Sequence, residues 1–263
     1  MPNNIIKHIN VNSPTLFSDA LQASIYTAKQ IADLIHEKQK QGKPAVLGLA
    51  TGNTPKSVYE ELIRLHKNDN LSFHNVISFN LDEYYPIGPE DNQSYTYFMR
   101  HHLFNHIDID PKNIHIPHTS LSPENIAQYC LDYEDKIMSY GGLDLQLLGI
   151  GRNGHIGFNE PGSSFESTTR LVNLHPLTRA DAQTDFGTLE NVPHQAISIG
   201  IQTILQAKRI LLLALGHKKS EIVSKALNGE ISIEVPASIL QTIPQVEYIL
   251  DSEAAELIGG LKD

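Results

Sequence analysis

The sequence predicts an α/β fold, a three-layer sandwich in which a mainly parallel sheet carries helices on both faces. Two observations predict it. Strand-like apolar runs alternate with helical patterns along almost the whole chain, and this alternation is typical of β-α-β units. In addition, four of the apolar runs end in a polar or glycine-rich cluster, and open α/β sheets bind ligands at the carboxyl ends of their strands.

The chain is long enough to form a single domain with a full core. It has 263 residues, of which 40% are hydrophobic, and no Pro-, Gly- or Ser-rich linker divides it. We therefore predict one domain over residues 1–263. A long polar stretch over residues 162–192 shows only weak periodicity. We interpret it either as a lid over a site or as a surface excursion with a short helix.

Charge and composition limit the partners of the protein. The formal net charge is -10 at pH 7 without a local basic patch, so we expect no nucleic-acid partner. No apolar run reaches the length of a membrane span, and Met1–Asn4 does not open onto a signal peptide,. The single cysteine, Cys130, cannot form an intrachain disulfide. We expect a cytoplasmic protein without a membrane partner.

The first elements are a helix, a strand and a second helix. A helix is predicted over roughly Ser13 to Gln39, and the apolar run Ala45–Ala50 is interpreted as a buried strand,. A glycine-containing turn follows. After it, Thr54 is a good N-cap and Pro55 a good first residue for the next helix,.

Three further strands are predicted, and a polar cluster follows each. The strands are Val76–Leu81, Leu143–Leu148 and Ile210–Leu215. The segment Asp82–Pro86 breaks the first of them, and a helical pattern follows the last. If these strands and Ala45–Ala50 are parallel neighbours, the four clusters at their ends face one crevice.

The loop after the Leu143–Leu148 strand reads Gly-Ile-Gly-Arg-Asn-Gly-His-Ile-Gly-Phe-Asn-Glu-Pro from Gly149 to Pro161. A lone histidine is more often a satisfied core residue than a catalytic one. Here, however, His155 lies two residues from Asn153 and five from Glu160 within a glycine-rich stretch. An imidazole beside a carboxylate at a strand end is typical of a catalytic loop.

Two other clusters are suited to an anion. The turn after Ala45–Ala50 offers backbone N–H groups, hydroxyls and the positive end of a helix dipole. Its residues are Thr51, Gly52, Asn53 and Thr54. The turn is not a nucleotide P-loop, because Pro55 stands where that motif needs glycine. Lys218 and Lys219 precede a helix, where the dipole disfavours cations unless an anion lies between,. The alternatives are helix capping alone and a solvated lysine pair.

Asp82 and Glu83 are adjacent carboxylates at a strand end. Neighbours on an extended chain point to opposite sides, so only one is expected to face a substrate. A desolvated carboxylate there has a raised pKa and is able to move a proton to and from carbon. The alternative is a solvent-facing acidic turn before Pro86.

The thirteen histidines raise the question of a metal site. His102 and His106 have the spacing of the zinc-protease pair, but Leu103 stands where that motif has its catalytic glutamate,. We expect no metal. We also expect no dinucleotide, because no Gly-x-Gly-x-x-Gly motif with a downstream acid follows a strand,.

Four motifs in order resemble the glucosamine-6-phosphate deaminase family. They are Thr51-Gly-Asn-Thr-Pro55, Phe79-Asn-Leu-Asp-Glu-Tyr84, the Gly149–Pro161 loop and Leu215-Gly-His-Lys-Lys219. The resemblance covers nearly the whole chain. It implies a Rossmann-like sheet and the conversion of glucosamine 6-phosphate and water to fructose 6-phosphate and ammonia, with no cofactor. The implied partner is a small sugar phosphate, and a homo-oligomer is possible in this family.

The resemblance also implies roles for individual residues. Asp82 would move a proton between C2 and C1 of the open-chain sugar. His155 would assist ring opening, with Glu160 holding its tautomer and Asn153 standing where many members have aspartate. The phosphate would lie on the Thr51–Thr54 turn and Lys219. We place Glu83 among the candidate substrate-binding residues.

One departure from the family concerns the phosphate. The arginine that other members carry in the lid has no counterpart, because the matching position is Thr184, although Arg179 lies one turn earlier. Other functions stay open at this point. They are deamination of galactosamine 6-phosphate, hydrolysis of 6-phosphogluconolactone, whose enzymes share the Gly-x-Gly-x-x-Gly-His kernel, and a non-catalytic sugar-phosphate sensor.

Overall fold

A computed structural model describes residues 13–258, and within them a seven-stranded sheet forms the centre of the molecule. All neighbouring strands of this sheet are parallel. In spatial order they are β1 (Thr15–Phe17), β10 (Val246–Asp251), β9 (Ile210–Ala214), β6 (Leu145–Leu148), β2 (Ala45–Leu49), β3 (Val76–Asn80) and β5 (Ile114–His115).

Helices cover both faces of this sheet. The α-helices of the described residues are α1 (Ala20–Lys40), α2 (Lys56–Asn68), α3 (Tyr95–His102), α4 (Pro123–Ser139), α5 (Pro176–Phe186), α6 (Ile201–Leu205) and α7 (Ser220–Asn228). Successive β2 residues point to opposite faces, so Leu47 packs in the core under α1 and α2 while Val46 packs in the core under α4 and α7,. The predicted three-layer α/β fold is confirmed.

A second, antiparallel sheet lies beside the first. Its strands, in spatial order, are β4 (Asp82–Tyr85), β8 (Gln195–Ser198) and β7 (Arg170–Asn173). Leu81 joins the two sheets, because its N–H donates to the Leu49 carbonyl and its own carbonyl accepts from Ile199. The expectation that Asp82–Pro86 only breaks a strand is wrong. The chain passes from β3 through Leu81 into β4, and Asp82 is the first residue of β4.

The four predicted strands are confirmed as β2, β3, β6 and β9, and they are consecutive neighbours in the order β9-β6-β2-β3. The adjacency that the site requires is therefore present. Strands β1, β5 and β10 of the same sheet were not predicted from the sequence. Strand β5 has only two residues, Ile114 and His115, which is too short for a recognisable pattern.

Two helix starts differ from the prediction. The first helix begins at Ala20 and not at Ser13, because Asp19 caps it by accepting a hydrogen bond from Gln22 N–H at 2.9 Å. The second begins at Lys56, and no side chain caps it. The prediction of Thr54 as its N-cap is therefore wrong, since Pro55 occupies the cap position.

Residues 162–192 are more regular than the sequence suggested, because they include β7 and α5. Their role as a lid stays a prediction. Among the helices within residues 13–258, none has the length and apolar character to cross a membrane. The expectation about Met1–Asn4 falls outside the described residues.

Candidate active site

One cavity of about 250 Å³ lies at the carboxyl ends of the four neighbouring strands. The turn after β2, the first residue of β4, the loop after β6 and the segment after β9 all contribute to its wall. From the sequence-predicted residues, the structure brings together here the Thr51–Thr54 turn, Asp82, His155 and Lys219. Glu83, Asn153 and Glu160 do not line this cavity.

Asp82 places a buried carboxylate in the wall of the cavity. Pairing of β4 with β8 sets Asp82 opposite Ser198, and only 6% of Asp82 is exposed. Burial disfavours the charged form, and the negative charge of Glu83 adds to this effect, so that the pKa of Asp82 is raised to about 8,. A carboxylate in this state is a stronger base than an exposed aspartate.

Glu83 faces away from the cavity and holds the start of α3. Its carboxylate accepts hydrogen bonds from the N–H groups of Tyr95 and Thr96, both at 2.8 Å. Burial raises the pKa of Glu83 to about 7, although these hydrogen bonds oppose the shift. The expectation that Glu83 binds substrate is therefore not supported by its position. The alternation of side chains along β4 separates it from Asp82.

Two side chains, Asn153 and Glu160, orient the imidazole of His155. Its Nδ1 lies 3.2 Å from Glu160 Oε2, and Asn153 Nδ2 donates to the same oxygen at 2.8 Å. Asn153 Oδ1 also accepts from His155 N–H at 3.2 Å. Asn153 and Glu160 therefore reach the cavity only through His155, and we describe both as positioning residues.

Glu160 stays ionised at neutral pH. Burial alone would raise its pKa, but the hydrogen bond and charge of His155, with further hydrogen bonds from Thr178 and Asn153, lower the pKa to about 2,. Because an ionised carboxylate only accepts, His155 Nδ1 carries the hydrogen that the pair shares. Among the residues described, none forms a hydrogen bond with His155 Nε2, which is left as the acceptor,.

Gly151 allows the imidazole to take this position. A Cβ on Gly151 would lie 2.3 Å from His155 Nε2, far inside contact distance. A backbone hydrogen bond from Gly151 N–H to the His155 carbonyl, at 2.9 Å, holds the two residues together. Glycine is therefore required at position 151, because the imidazole packs directly against its Cα.

The Thr51–Thr54 turn and Lys219 form the part of the site that is suited to an anion. The first turn of α2 has no side-chain cap. Lys56 N–H donates to the Asn53 carbonyl at 3.4 Å, and the N–H groups that follow it are available to a ligand. Lys219 donates to the Ile150 carbonyl at 2.7 Å, and burial lowers the pKa of its ammonium group. Lys218 is exposed and does not line the cavity. The structure therefore distinguishes Lys219 from Lys218, which the sequence pattern alone did not.

Two arginines have positions that the sequence did not predict. Arg179, the suggested substitute for the lid arginine, donates instead to the Leu189, Val192 and Pro193 carbonyls. Arg152 lines the cavity and forms an ion pair with Asp181 of α5, with Nε and Oδ2 3.1 Å apart. The signal for Arg152 was its place inside the Gly149–Pro161 loop, next to Asn153 and three residues before His155.

The histidines considered for a metal have other contacts. The His102 ring packs against Phe98 with centroids 4.4 Å apart, and His106 Nε2 lies 2.9 Å from the His101 carbonyl. Within residues 13–258, no group of three or more His, Cys, Asp or Glu side chains has an arrangement that could hold a metal ion.

We expect Gly151→Ala to displace the imidazole of His155. The new methyl group would overlap the ring, so the Nδ1–Oε2 hydrogen bond to Glu160 should break, and overpacking should lower the free energy of unfolding by about 1–3 kcal/mol. Denaturant unfolding and a crystal structure of the variant measure both effects. Gly149→Ala is the matched control, because a Cβ at Gly149 meets no atom within 4 Å. An unmoved imidazole in Gly151→Ala would contradict this account.

Comparisons with known proteins agree with the fold and the motifs. The model of the family described as glucosamine-6-phosphate isomerases/6-phosphogluconolactonase matches residues 18–247. A glucosamine-6-phosphate deaminase of Clostridium botulinum (strain Langeland) is 50% identical over 228 residues, which are 87% of this chain and 93% of that protein. One of Oceanobacillus iheyensis is 50% identical over 84% of this chain and 87% of its own length.

Solved structures give the same result. A monomeric glucosamine-6-phosphate deaminase superposes with a TM-score of 0.89 at 45% identity and covers 93% of this chain and 99% of its own. The 6-phosphogluconolactonase of Trypanosoma cruzi superposes with a TM-score of 0.74 at 19% identity, over 94% of this chain and 98% of its own, and so shares the fold. The resemblance found in the four motifs is confirmed, and the chain belongs to the family of glucosamine-6-phosphate isomerases and 6-phosphogluconolactonases.

Proposed function

We propose that the protein is a glucosamine-6-phosphate deaminase, which converts glucosamine 6-phosphate and water to fructose 6-phosphate and ammonia. One observation carries the proposal. A buried carboxylate, an oriented imidazole and an anion-binding turn line the same cavity, and the chain is 50% identical to proteins of that activity.

His155 opens the sugar ring. With Nδ1–H held by Glu160 at 3.2 Å, Nε2 accepts the proton of the anomeric hydroxyl, and the imidazolium returns a proton to the ring oxygen. The C1–O5 bond breaks and the C1 aldehyde forms. The ionised Glu160 stabilises the imidazolium while it exists, which gives Asn153 and Glu160 their positioning roles.

Asp82 then moves a proton between carbons. Its carboxylate removes the proton on C2 while the C1 carbonyl oxygen takes up a proton, so that an enolamine forms between C1 and C2, and the same carboxyl group then delivers its proton to C1. The substrate nitrogen gives up one proton, which balances the proton gained by the C1 oxygen, and the product is a ketose imine at C2. Water hydrolyses this imine to the ketone and ammonia. The raised pKa of Asp82 suits this step, because a stronger base is needed to ionise a carbon acid,.

The phosphate binds at the Thr51–Thr54 turn and Lys219, which line the same cavity. Backbone N–H groups of the Thr51–Thr54 turn and the ammonium of Lys219 offer donors and positive charge,. Specific donors are needed because the protein carries a net charge of -10, which on average repels an anion,.

The direct test is an assay of purified protein with three substrates in parallel. Glucosamine 6-phosphate should release ammonia and fructose 6-phosphate in equal amounts. Faster release of ammonia from galactosamine 6-phosphate would change the substrate, and faster hydrolysis of 6-phosphogluconolactone would change the reaction class. Binding of the sugar phosphates without any turnover would indicate a sensor.

We expect Asp82→Asn to abolish proton exchange at C2. The amide cannot accept the proton, so kcat should fall by a factor of about 10² to 10⁴, while the affinity for fructose 6-phosphate is largely kept. Deuterium incorporation at C2 in heavy water and calorimetry measure the two quantities. Asp33→Asn, at an exposed aspartate of α1, is the control. Exchange that persists in Asp82→Asn would remove Asp82 from this role.

The pH dependence of kcat/KM should report the raised pKa of Asp82. Only the ionised carboxylate accepts the proton, so kcat/KM should increase with pH up to about 8, the pKa of the group,. Glu83→Gln removes a neighbouring negative charge and should move this increase to lower pH. The substrate amine also titrates, but it is the same in both measurements. A profile that does not move in Glu83→Gln would contradict the assignment.

A further inference from the structure

The cavity has a second cation that the mechanism above does not use. Arg152 lies in the loop after β6 and lines the cavity together with Lys219. These are the only two Lys or Arg side chains in the cavity wall as the described residues form it. The carboxylates of Asp82, Asp181 and Asp185 lie in the same wall.

Arg152 is paired with a carboxylate of a different element. Its Nε lies 3.1 Å from Asp181 Oδ2, and the two side chains are 48% and 45% exposed. An ion pair that is this exposed contributes little free energy, because water screens it. A ligand that binds the guanidinium better than a carboxylate does is therefore able to displace Asp181 at low cost.

The charges of Arg152 and Asp181 both act on Lys219. Burial lowers the pKa of its ammonium group, the charge of Arg152 lowers it further, and the charge of Asp181 opposes the shift. The three side chains line the same cavity, with Arg152 and Asp181 in direct contact. The proposed function assigns the phosphate to this cavity.

A phosphate monoester carries close to two negative charges at neutral pH, and a single lysine balances only part of that charge. Neither position that the sequence suggested for a second cation provides one for the phosphate. Position 184 is a threonine, and the Arg179 guanidinium donates to backbone carbonyls. A guanidinium matches phosphate oxygens in a bidentate geometry. Arg152 is the side chain in the cavity that provides one.

On the basis of the function proposed above, we propose that Arg152 is the second cationic ligand of the substrate phosphate, and that Asp181 holds its guanidinium until the phosphate replaces the carboxylate. Asp181 is then an internal competitor of the phosphate. When the phosphate binds, the link between the catalytic loop and α5 is exchanged for a link between the loop and the substrate.

Substitutions of the two partners should therefore change phosphate affinity in opposite directions. Arg152→Ala should weaken the binding of inorganic phosphate and of fructose 6-phosphate about tenfold or more, and Arg152→Lys should weaken it less. Asp181→Asn should tighten it about threefold, because a competing negative charge is removed. Calorimetry with each ligand measures these constants. Arg64→Ala is the matched control, since Arg64 is also ion-paired and is 47% exposed on α2.

A purely structural clamp between the loop and α5 makes a different prediction. Breaking it from either side would have the same effect, so weaker phosphate binding in both Arg152→Ala and Asp181→Asn would overturn the competition. Unchanged phosphate affinity in Arg152→Ala, or no phosphate binding by the wild-type protein, would overturn the assignment of Arg152. Arg152→Lys keeps the charge and serves if Arg152→Ala does not fold.

Steady-state kinetics separate this inference from the proposed function. With glucosamine 6-phosphate, Arg152→Ala should raise KM by about the same factor as the phosphate dissociation constant and change kcat less. A wild-type protein that binds phosphate through Arg152 but releases no ammonia would contradict the proposed function alone. Normal turnover with unchanged KM in Arg152→Ala would contradict the role of Arg152 alone.

Discussion

The parallel alignment of four neighbouring strands is the constraint on which the rest of the site depends. Because β9, β6, β2 and β3 run in the same direction in adjacent positions, the segments that leave their carboxyl ends meet at one edge of the sheet. A lysine, a loop that carries a histidine, a turn suited to an anion and an aspartate therefore surround a cavity of about 250 Å³, although they are far apart in the sequence. The two buried clusters that pack on the faces of the sheet hold this alignment in place.

In and behind the cavity wall, burial and hydrogen bonding give chemically similar groups different properties. Asp82 is buried beside the charge of Glu83, so its pKa is raised to about 8. Glu160 is also buried, but hydrogen bonds and the charge of His155 lower its pKa to about 2. The Asp82 carboxyl group is thus suited to act as a base, and the Glu160 carboxyl group stays ionised behind an imidazole,. This division of properties is what the proposed isomerisation and ring opening require.

The sequence predicted the elements whose signal is local, and it missed those that depend on packing. Apolar runs that end at a glycine-containing segment identified β2 and β6, because both strands are buried on each face,. The β4 strand was missed because it starts with two carboxylates, a composition typical of turns, and is held by pairing with the distant β8. Likewise, neither the separate directions of Asp82 and Glu83 nor the pairing of Arg152 with Asp181 is visible before the chain is folded.

The most direct test of the central claim is a crystal structure of the protein with fructose 6-phosphate bound. The phosphate should lie within hydrogen-bond distance of the Thr51–Thr54 amides and Lys219 Nζ, with the Asp82 carboxylate about 3–3.5 Å from C1 and C2. A sugar phosphate bound with its C1 and C2 out of reach of Asp82, or with its phosphate away from that turn, would contradict it.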